Sequence, residues 1–268
     1  MIDKQDEEIE TSALDGLIRE SSRQSEENKT NLELLEAYWS ESPGSNNVKL
    51  ENFTKYVTRE TLTKFLTRQE VFLKQLQVNG SILELGVARG VSLMTWYHLS
   101  TIYEPTNYLR EIIGFDTFEG FPEISGEDQK GTNVSEHTVA GGFQVETGME
   151  QDILESVRAH DITRFLGHIP KLKLVRGNVM ETLPRFLDEN PHLIVSLLHL
   201  DVDLYEPTKL ALECLVPRMP KGAVIMFDEL NMRQFPGETL AAIESLGINN
   251  MRIVRFPYAT CMSYVVIE

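Results

Sequence analysis

Leu193-Ile194-Val195-Ser196-Leu197-Leu198-His199-Leu200-Asp201-Val202-Asp203-Leu204-Tyr205 decides the fold. The apolar run from Leu193 to Leu200 reads as a strand buried on both faces, the signature of a parallel sheet. It ends in two carboxylates two residues apart. Alternate residues of a strand share a face, so Asp201 and Asp203 point the same way. A second apolar run, Ala223 to Phe227, ends in another acidic pair, Asp228-Glu229. Four carboxylates at the ends of two buried strands repel one another unless something positive lies between them, and a divalent cation is the simplest candidate.

Other runs repeat this pattern. Strands are expected at Ser81–Leu85, Glu111–Phe115, Leu172–Arg176, Met251–Phe256 and Cys261–Ile267. Helices are expected at Lys55–Leu76, Val91–Leu99, Met180–Asp188, Pro207–Val216 and Glu238–Leu246. Strand-helix alternation implies an α/β fold: a mostly parallel seven-stranded sheet with helices on both faces. The last two strands, joined by Pro257-Tyr258-Ala259-Thr260, read as a closing antiparallel hairpin. One segment breaks the rhythm. Thr117–Pro170 is far longer than a usual crossover, is rich in glycine, and ends in a helix-like stretch from Met149 to Ala159. Following a strand's C-terminal end, it is expected to act as a lid over the site.

The chain has 268 residues and a net charge of -16. That charge argues against nucleic acid or an anionic membrane as partner, because both need a basic face. No apolar stretch approaches the roughly 20 residues of a membrane span, and no signal-peptide core opens the chain. Two cysteines outside any C-x-x-C motif fit a reduced, cytoplasmic protein. The first 28 residues hold nine acids against three bases. Residues 1–48 are therefore read as an acidic, partly mobile arm, and 49–268 as the catalytic domain carrying the 117–170 insertion. The arm and the entry helix after it are candidates for packing between subunits of a homo-oligomer.

The chemistry concentrates at strand ends. Glu84-Leu85-Gly86-Val87-Ala88-Arg89-Gly90 is an E-x-G-x-x-x-G turn between strand and helix. Gly86 lets the backbone approach a ligand closely, and the following helix presents free N–H groups. It is not the G-x-G-x-x-G loop that cradles a pyrophosphate, which disfavours a nicotinamide oxidoreductase. A cofactor with a nucleoside and an amino-acid tail fits Glu84, Gly86 and Gly90 better; the bland alternative is a ligand-free turn. Asp116, ending the next strand, either accepts ribose hydroxyls or caps local backbone. Asn178 either meets an adenine-side group or caps a helix. Asp201, Asp228 and Glu229 are candidate oxygen ligands for Mg²⁺ or another divalent cation, with Asp203 as general base. His199 shares their face, as a second base or a packed strand residue. His137, Trp96 and Tyr97 read as a loop histidine and core aromatics. A non-catalytic module keeping this fold would be expected to have lost some of the four carboxylates, and all are present.

Together these residues resemble class I S-adenosylmethionine-dependent methyltransferases, and more narrowly the macrocin O-methyltransferase (TylF-type) family of metal-dependent sugar O-methyltransferases. The resemblance runs from about Asn52 to the C-terminus. It rests on Thr67-Arg68, Glu84-Leu85-Gly86, Asp116 to Pro122, Glu181 to Pro184, Asp201 to Tyr205 and Phe227-Asp228-Glu229. It implies a Rossmann-like methyltransferase fold with S-adenosyl-L-methionine as cofactor. It also implies metal binding by Asp201, Asp228 and Glu229, with Asp203 matching the family's base. Glu229 stands where some relatives carry Asp. The implied partner is a small-molecule hydroxyl acceptor bearing a sugar; a catechol-like vicinal diol is the alternative.

Overall fold

The computed structural model describes residues 25–268 except Thr260. The acidic stretch read in the first 24 residues lies outside the described residues. The chain divides into two compact units, Met1–Thr63 and Lys64–Glu268. The first carries helices α1 (Glu26–Glu41) and α2 (Asn46–Glu51). Part of the expected arm is thus helical. Ser45 caps α2 by accepting from Val48 N. Tyr56 stacks on Tyr38 at 5.3 Å and meets the edge of Trp39 at 4.9 Å.

Helix α3 (Arg59–Gln75) crosses the division, and the second unit then alternates as expected. Its strands are β1 (Ser81–Leu85), β2 (Ile112–Asp116), β3 (Leu172–Arg176), β4 (Val195–Leu200), β5 (Val224–Phe227), β6 (Val254–Arg255) and β7 (Ser263–Val266). Its further helices are α4 (Val91–Tyr103), α5 (Met149–Asp161), α6 (Val179–Glu189), α7 (Tyr205–Leu215) and α8 (Pro236–Leu246). The sheet order is β3-β2-β1-β4-β5-β7-β6. β1 to β5 pair in parallel, and β7 runs antiparallel to both β5 and β6. The fold is therefore the Rossmann-like arrangement with a closing hairpin that the sequence predicts. The order reverses at β1 and β4, and ligands of such sheets bind at the C-terminal edge beside that reversal.

Strand parity sorts the core into two layers. Ile82, Leu197, Val224 and Met226 pack with Phe72, Leu93 and Trp96 on one face. Leu83, Leu85, Leu198, Leu200, Ile225 and Phe227 pack with Leu183, Leu212 and Ala242 on the other. With both faces covered, β1, β4 and β5 are buried at every residue. At roughly 25 cal/mol per Å² of apolar surface, this burial is the dominant stabilising term.

Several boundaries differ from the sequence reading: α3 begins at Arg59 rather than Lys55, α4 runs on to Tyr103, and two further shifts concern β6 and α7. β6 spans only two residues, Val254 and Arg255, which pair with Tyr264 and Ser263 of β7. α7 begins at Tyr205 rather than at Pro207. Asp128 Oδ1, from the insertion, accepts from Tyr205 N at 2.7 Å and satisfies the helix's first free N–H. Pro207 then falls in the first turn, where its missing N–H costs nothing.

Candidate active site

β4 delivers His199 to the interior and Asp201 to the mouth. β5 delivers Asp228 and Glu229 beside them. His199 is fully buried, Asp228 and Glu229 are buried, and Asp201 and Asp203 are half-buried. One ligand atom each from His199, Asp201 and Asp228 lies within 4.8 Å of the others. Glu229 stands outside that trio, with its carboxyl beside Asp203.

The local backbone aims these groups. Asp203 has φ +59, and Leu204 N donates to Val202 O at 2.6 Å across it. This is a three-residue turn with a left-handed residue at its centre, a conformation that costs roughly 1–3 kcal/mol and clusters at functional sites. Ala88 (φ +47) and Phe118 (φ +57) lie at the same sheet edge. Asp116 holds both: Oδ2 accepts from Val87 N and Ala88 N at 2.6 and 2.8 Å, and Oδ1 accepts from Phe118 N at 2.6 Å. The Asp116 carboxylate therefore ties the first turn to the second. Asn178 caps α6, its side-chain oxygen accepting from Met180 N at 3.0 Å.

Gly86 (φ +86) shows why glycine stands there. A Cβ on it would lie 1.7 Å from the carbonyl oxygen of Asp201. The turn after β1 and the carboxylate strand end thus touch through backbone. A Cβ on Gly90 (φ +77) would meet Ile153 of α5 at 2.8 Å. Above that turn Arg89 grips Glu146 of the insertion with two nitrogens, at 2.8 to 3.2 Å. The insertion is further pinned by Ser135 N to Gln234 O at 3.1 Å and by Phe143 against Phe235. It therefore packs along the same edge as the carboxylates.

Electrostatics mark the cluster as out of balance. Burial, reinforced by the negative charge of Asp228, holds the Asp201 carboxyl well above the ordinary carboxylate range. Burial, with Asp201 and Asp228 nearby, does the same to Asp203. Glu229 is raised by burial and by Asp228, Asp203 and Asp201. Asp228 is the exception. Burial pushes it up, but the adjacent His199 and the cations of Lys64 and Arg68 on α3 outweigh burial and hold it down. For His199 burial pulls downward, yet Asp228 and Glu84 outweigh it and lift the imidazole to about 9.

The residues present fit a divalent cation. His199 Nε2, Asp228 Oδ1 and Glu229 Oε2 are buried without a hydrogen-bond partner among the described residues. An unpaired ring nitrogen and an unpaired carboxylate oxygen 3.8 Å apart, with Asp201 beside them, leave room for a cation between them.

Residues 54–243 match the macrocin-O-methyltransferase (TylF) family. The chain belongs to that family. Its members are O-methyltransferases, as the solved relatives are. The chain is 35% identical to CalS11, a calicheamicin methyltransferase, with TM-score 0.85 over 91% of this chain and 94% of that one. It is 33% identical to the apo structure of CalS11 described as TDP-rhamnose 3'-O-methyltransferase, with TM-score 0.78 over 91% and 96%. Among curated proteins it is 29% identical, over 155 residues, to 8-demethyl-8-(2,3-dimethoxy-alpha-L-rhamnosyl)-tetracenomycin-C 4'-O-methyltransferase of Streptomyces olivaceus. That match spans 57% of this chain and 53% of the relative, about half its length.

Within this family member, three features lay beyond the sequence reading. Glu84 is fully buried: Oε1 accepts from Ser92 Oγ, and Oε2 accepts from Trp96 Nε1, both at 2.7 Å, while His199 Nδ1 lies 3.1 Å from Oε2. Both oxygens face protein, so Glu84 is placed to organise the turn and His199 rather than to touch a cofactor. Glu238, the third residue of α8, is fully buried; Oε1 accepts from Glu229 N at 3.0 Å and Oε2 has no partner among the described residues. It is a fifth carboxyl of the cluster, raised by burial and then by Asp228 and Asp203. Asp128 anchors the insertion to the start of α7, two residues from Asp203. His137 lies half-buried against Phe143 and Tyr97 donates to Asp161 at 2.6 Å, so neither belongs to the cluster. Among the described residues no helix is long and apolar enough to cross a membrane.

Proposed function

We propose that the chain transfers the methyl group of S-adenosylmethionine to a ring hydroxyl of a deoxyhexose, on a natural-product glycoside or a nucleotide sugar, in the cytoplasm. One observation carries the reading: a buried, charge-unbalanced carboxylate cluster at the reversal of a TylF-family sheet, backed against a glycine turn. Both named groups of relatives act on rhamnose, at the 3' or 4' oxygen. This favours a 6-deoxyhexose.

Gly86, Gly90 and the α4 N-terminus would take the cofactor's amino-acid tail, with Asp116 and Asn178 toward its ribose and adenine. Asp116 Oδ1 keeps acceptor capacity beyond its single N–H. Asp201, Asp228 and Glu229 would hold a divalent cation. Bound there, the cation supplies Lewis acidity that makes an acceptor hydroxyl easier to deprotonate.

Asp203 is the proposed general base. A carboxylate raised by burial accepts a proton more readily than an ordinary one. It takes the hydroxyl proton as the sugar oxygen attacks the methyl carbon; the carbon–sulfur bond breaks and S-adenosylhomocysteine leaves. The insertion, clamped by Arg89–Glu146, would exclude water and hold the acceptor in line; positioning of this kind can supply roughly 7–11 kcal/mol.

The test has two stages. A melt with saturating S-adenosylhomocysteine should raise Tm by roughly 5–10 °C, with no rise for NAD. Incubation with S-adenosylmethionine and TDP-rhamnose, with and without divalent cation, should add one methyl to the sugar by mass spectrometry. Methylation of simple catechols but of no sugar would replace the deoxyhexose reading with the catechol one. No shift with the homocysteine product, in folded protein, would remove the methyltransferase reading altogether.

A further inference from the structure

We propose that Asp128, in the insertion, is a positioning residue for the methyl transfer: its carboxylate caps α7 and thereby holds the left-handed turn that aims Asp203. The inference rests on the reading of Asp203 as general base. It makes the insertion part of the catalytic apparatus rather than only its cover.

The turn needs support from outside. α7 starts directly after it, and Leu204, at the N-terminal boundary of that helix, makes no side-chain capping bond. A helix start leaves N–H groups without intrahelical partners, and buried ones must find acceptors elsewhere. Tyr205 N finds Asp128 Oδ1 at 2.7 Å, 77 positions away in sequence. A negative charge at that end also suits the helix dipole. Asp203 itself has φ +59, with Leu204 N donating to Val202 O across it. Such a conformation persists only where its surroundings over-determine it. Fixing Tyr205 N fixes the far end of the turn.

Asp128 is held on every side. It is only 2% exposed. Its Oδ2 accepts from Ser125 N at 2.9 Å and from Ser125 Oγ at 2.6 Å, so the carboxylate is not free to swing away. α8 makes room for it. A Cβ on Gly237, the second residue of α8, would lie 2.1 Å from Asp128 Oδ1 and 2.5 Å from Tyr205 N. The insertion, the start of α7 and the start of α8 therefore meet at one carboxylate. The same stretch of insertion is tied down by Gln129 Nε2 to Thr138 O at 2.9 Å and by Ser135 N to Gln234 O at 3.1 Å, two residues before α8. Movement of the insertion thus reaches Asp203 through Asp128. Acceptor binding that orders the insertion sets the base; an open insertion leaves the turn unsupported.

The test compares the full chain with Asp128→Ala and Asp128→Asn. Asn keeps an oxygen for Tyr205 N but loses the charge and the second acceptor. Hydrogen exchange read by mass spectrometry follows the amides from Asp203 to Glu206 without substrate. Exchange there should run about 10–100-fold faster in Asp128→Ala and near the native rate in Asp128→Asn. With S-adenosylmethionine and TDP-rhamnose, Asp128→Ala should lose about 10²-fold in kcat, with KM for S-adenosylmethionine unchanged within about twofold. Asp128→Asn should recover most of that loss. Gly237→Ala, which crowds the same oxygen from α8, should show the pattern of Asp128→Ala and takes its place if that variant does not fold. Native exchange from Asp203 to Glu206 in Asp128→Ala would overturn the cap. Faster exchange with native kcat would overturn the positioning role and leave Asp128 a structural residue. A native chain that methylates no sugar would remove the function reading instead, and the exchange comparison would still decide whether Asp128 holds the turn.

Discussion

Asp203 is where strain, burial and charge meet in a single residue. Its left-handed turn separates it from Asp201 although the two are only two positions apart. The sequence parity places both on one face; the turn gives Asp203 a second neighbour, Glu229, and frees it from the trio. Asp203→Asn preserves volume and the capacity for the turn, since Asn tolerates left-handed backbone well. It removes the proton acceptor. Turnover should fall by about 10²–10⁴-fold while affinity for S-adenosylhomocysteine, measured by calorimetry, stays unchanged. An equal loss of cofactor affinity would assign Asp203 to binding. Asp201 and Asp228 were legible because an acid ending an apolar strand has few bland explanations. Glu238 was not, because an acid in the first turn of a helix is what the helix dipole favours anyway. The Glu84–His199 pair was illegible for another reason: register across 115 positions of sequence leaves no local trace.

Among elements, the parallel strands were legible and their helix starts less so. Double burial makes a strand an apolar run, and that signal is local. Where α7 begins depends on Asp128, a residue in a loop far away in sequence. The glycine turn after β1 is an element whose sequence reason and structural reason differ. Read alone, Gly86 makes room for a ligand; in the fold its space is filled by the backbone of Asp201. Gly86→Ala would therefore drive the β1 turn away from the end of β4, on top of the cost of φ +86. Gly148 provides the contrast, with φ +93 and nothing within 4 Å of a Cβ. Gly148→Ala should cost about 1–2 kcal/mol, the left-handed penalty alone. Gly86→Ala should cost at least about 3 kcal/mol, a fall in Tm of roughly 6–12 °C, and should weaken divalent-cation binding through Asp201. Equal effects of the two substitutions in a melting experiment would show that β1 and β4 do not need their close contact.

For the whole molecule, the buried carboxyls couple metal, protons and stability. Asp201, Asp203, Glu229 and Glu238 are all held above their ordinary values, chiefly by burial. The folded chain thus keeps protons that the unfolded chain has released. The contribution of these four is greatest below the ordinary carboxylate range and falls as pH rises through the raised values. His199, lifted to about 9, acts in the same direction: its contribution is full below its ordinary 6.5 and is lost toward 9. Lys171 opposes them only higher up. Burial pushes it down to about 8, so its penalty is relieved as pH rises from about 8 toward 10.5. Between pH of about 6 and 8 the metal-free protein should therefore lose stability. One proton over that span is worth up to about 2.7 kcal/mol, or roughly 5–10 °C in Tm. A divalent cation binds the deprotonated ligands, so its stabilisation should grow over the same interval. Melts in chelator should fall from pH 6 to 8, and melts in millimolar Mn²⁺ should stay level. A chelated protein whose Tm is flat or rising across that interval would mean that the cluster is already ionised and balanced by Lys64 and Arg68 alone, and the case for a cation at its centre would lose its electrostatic ground.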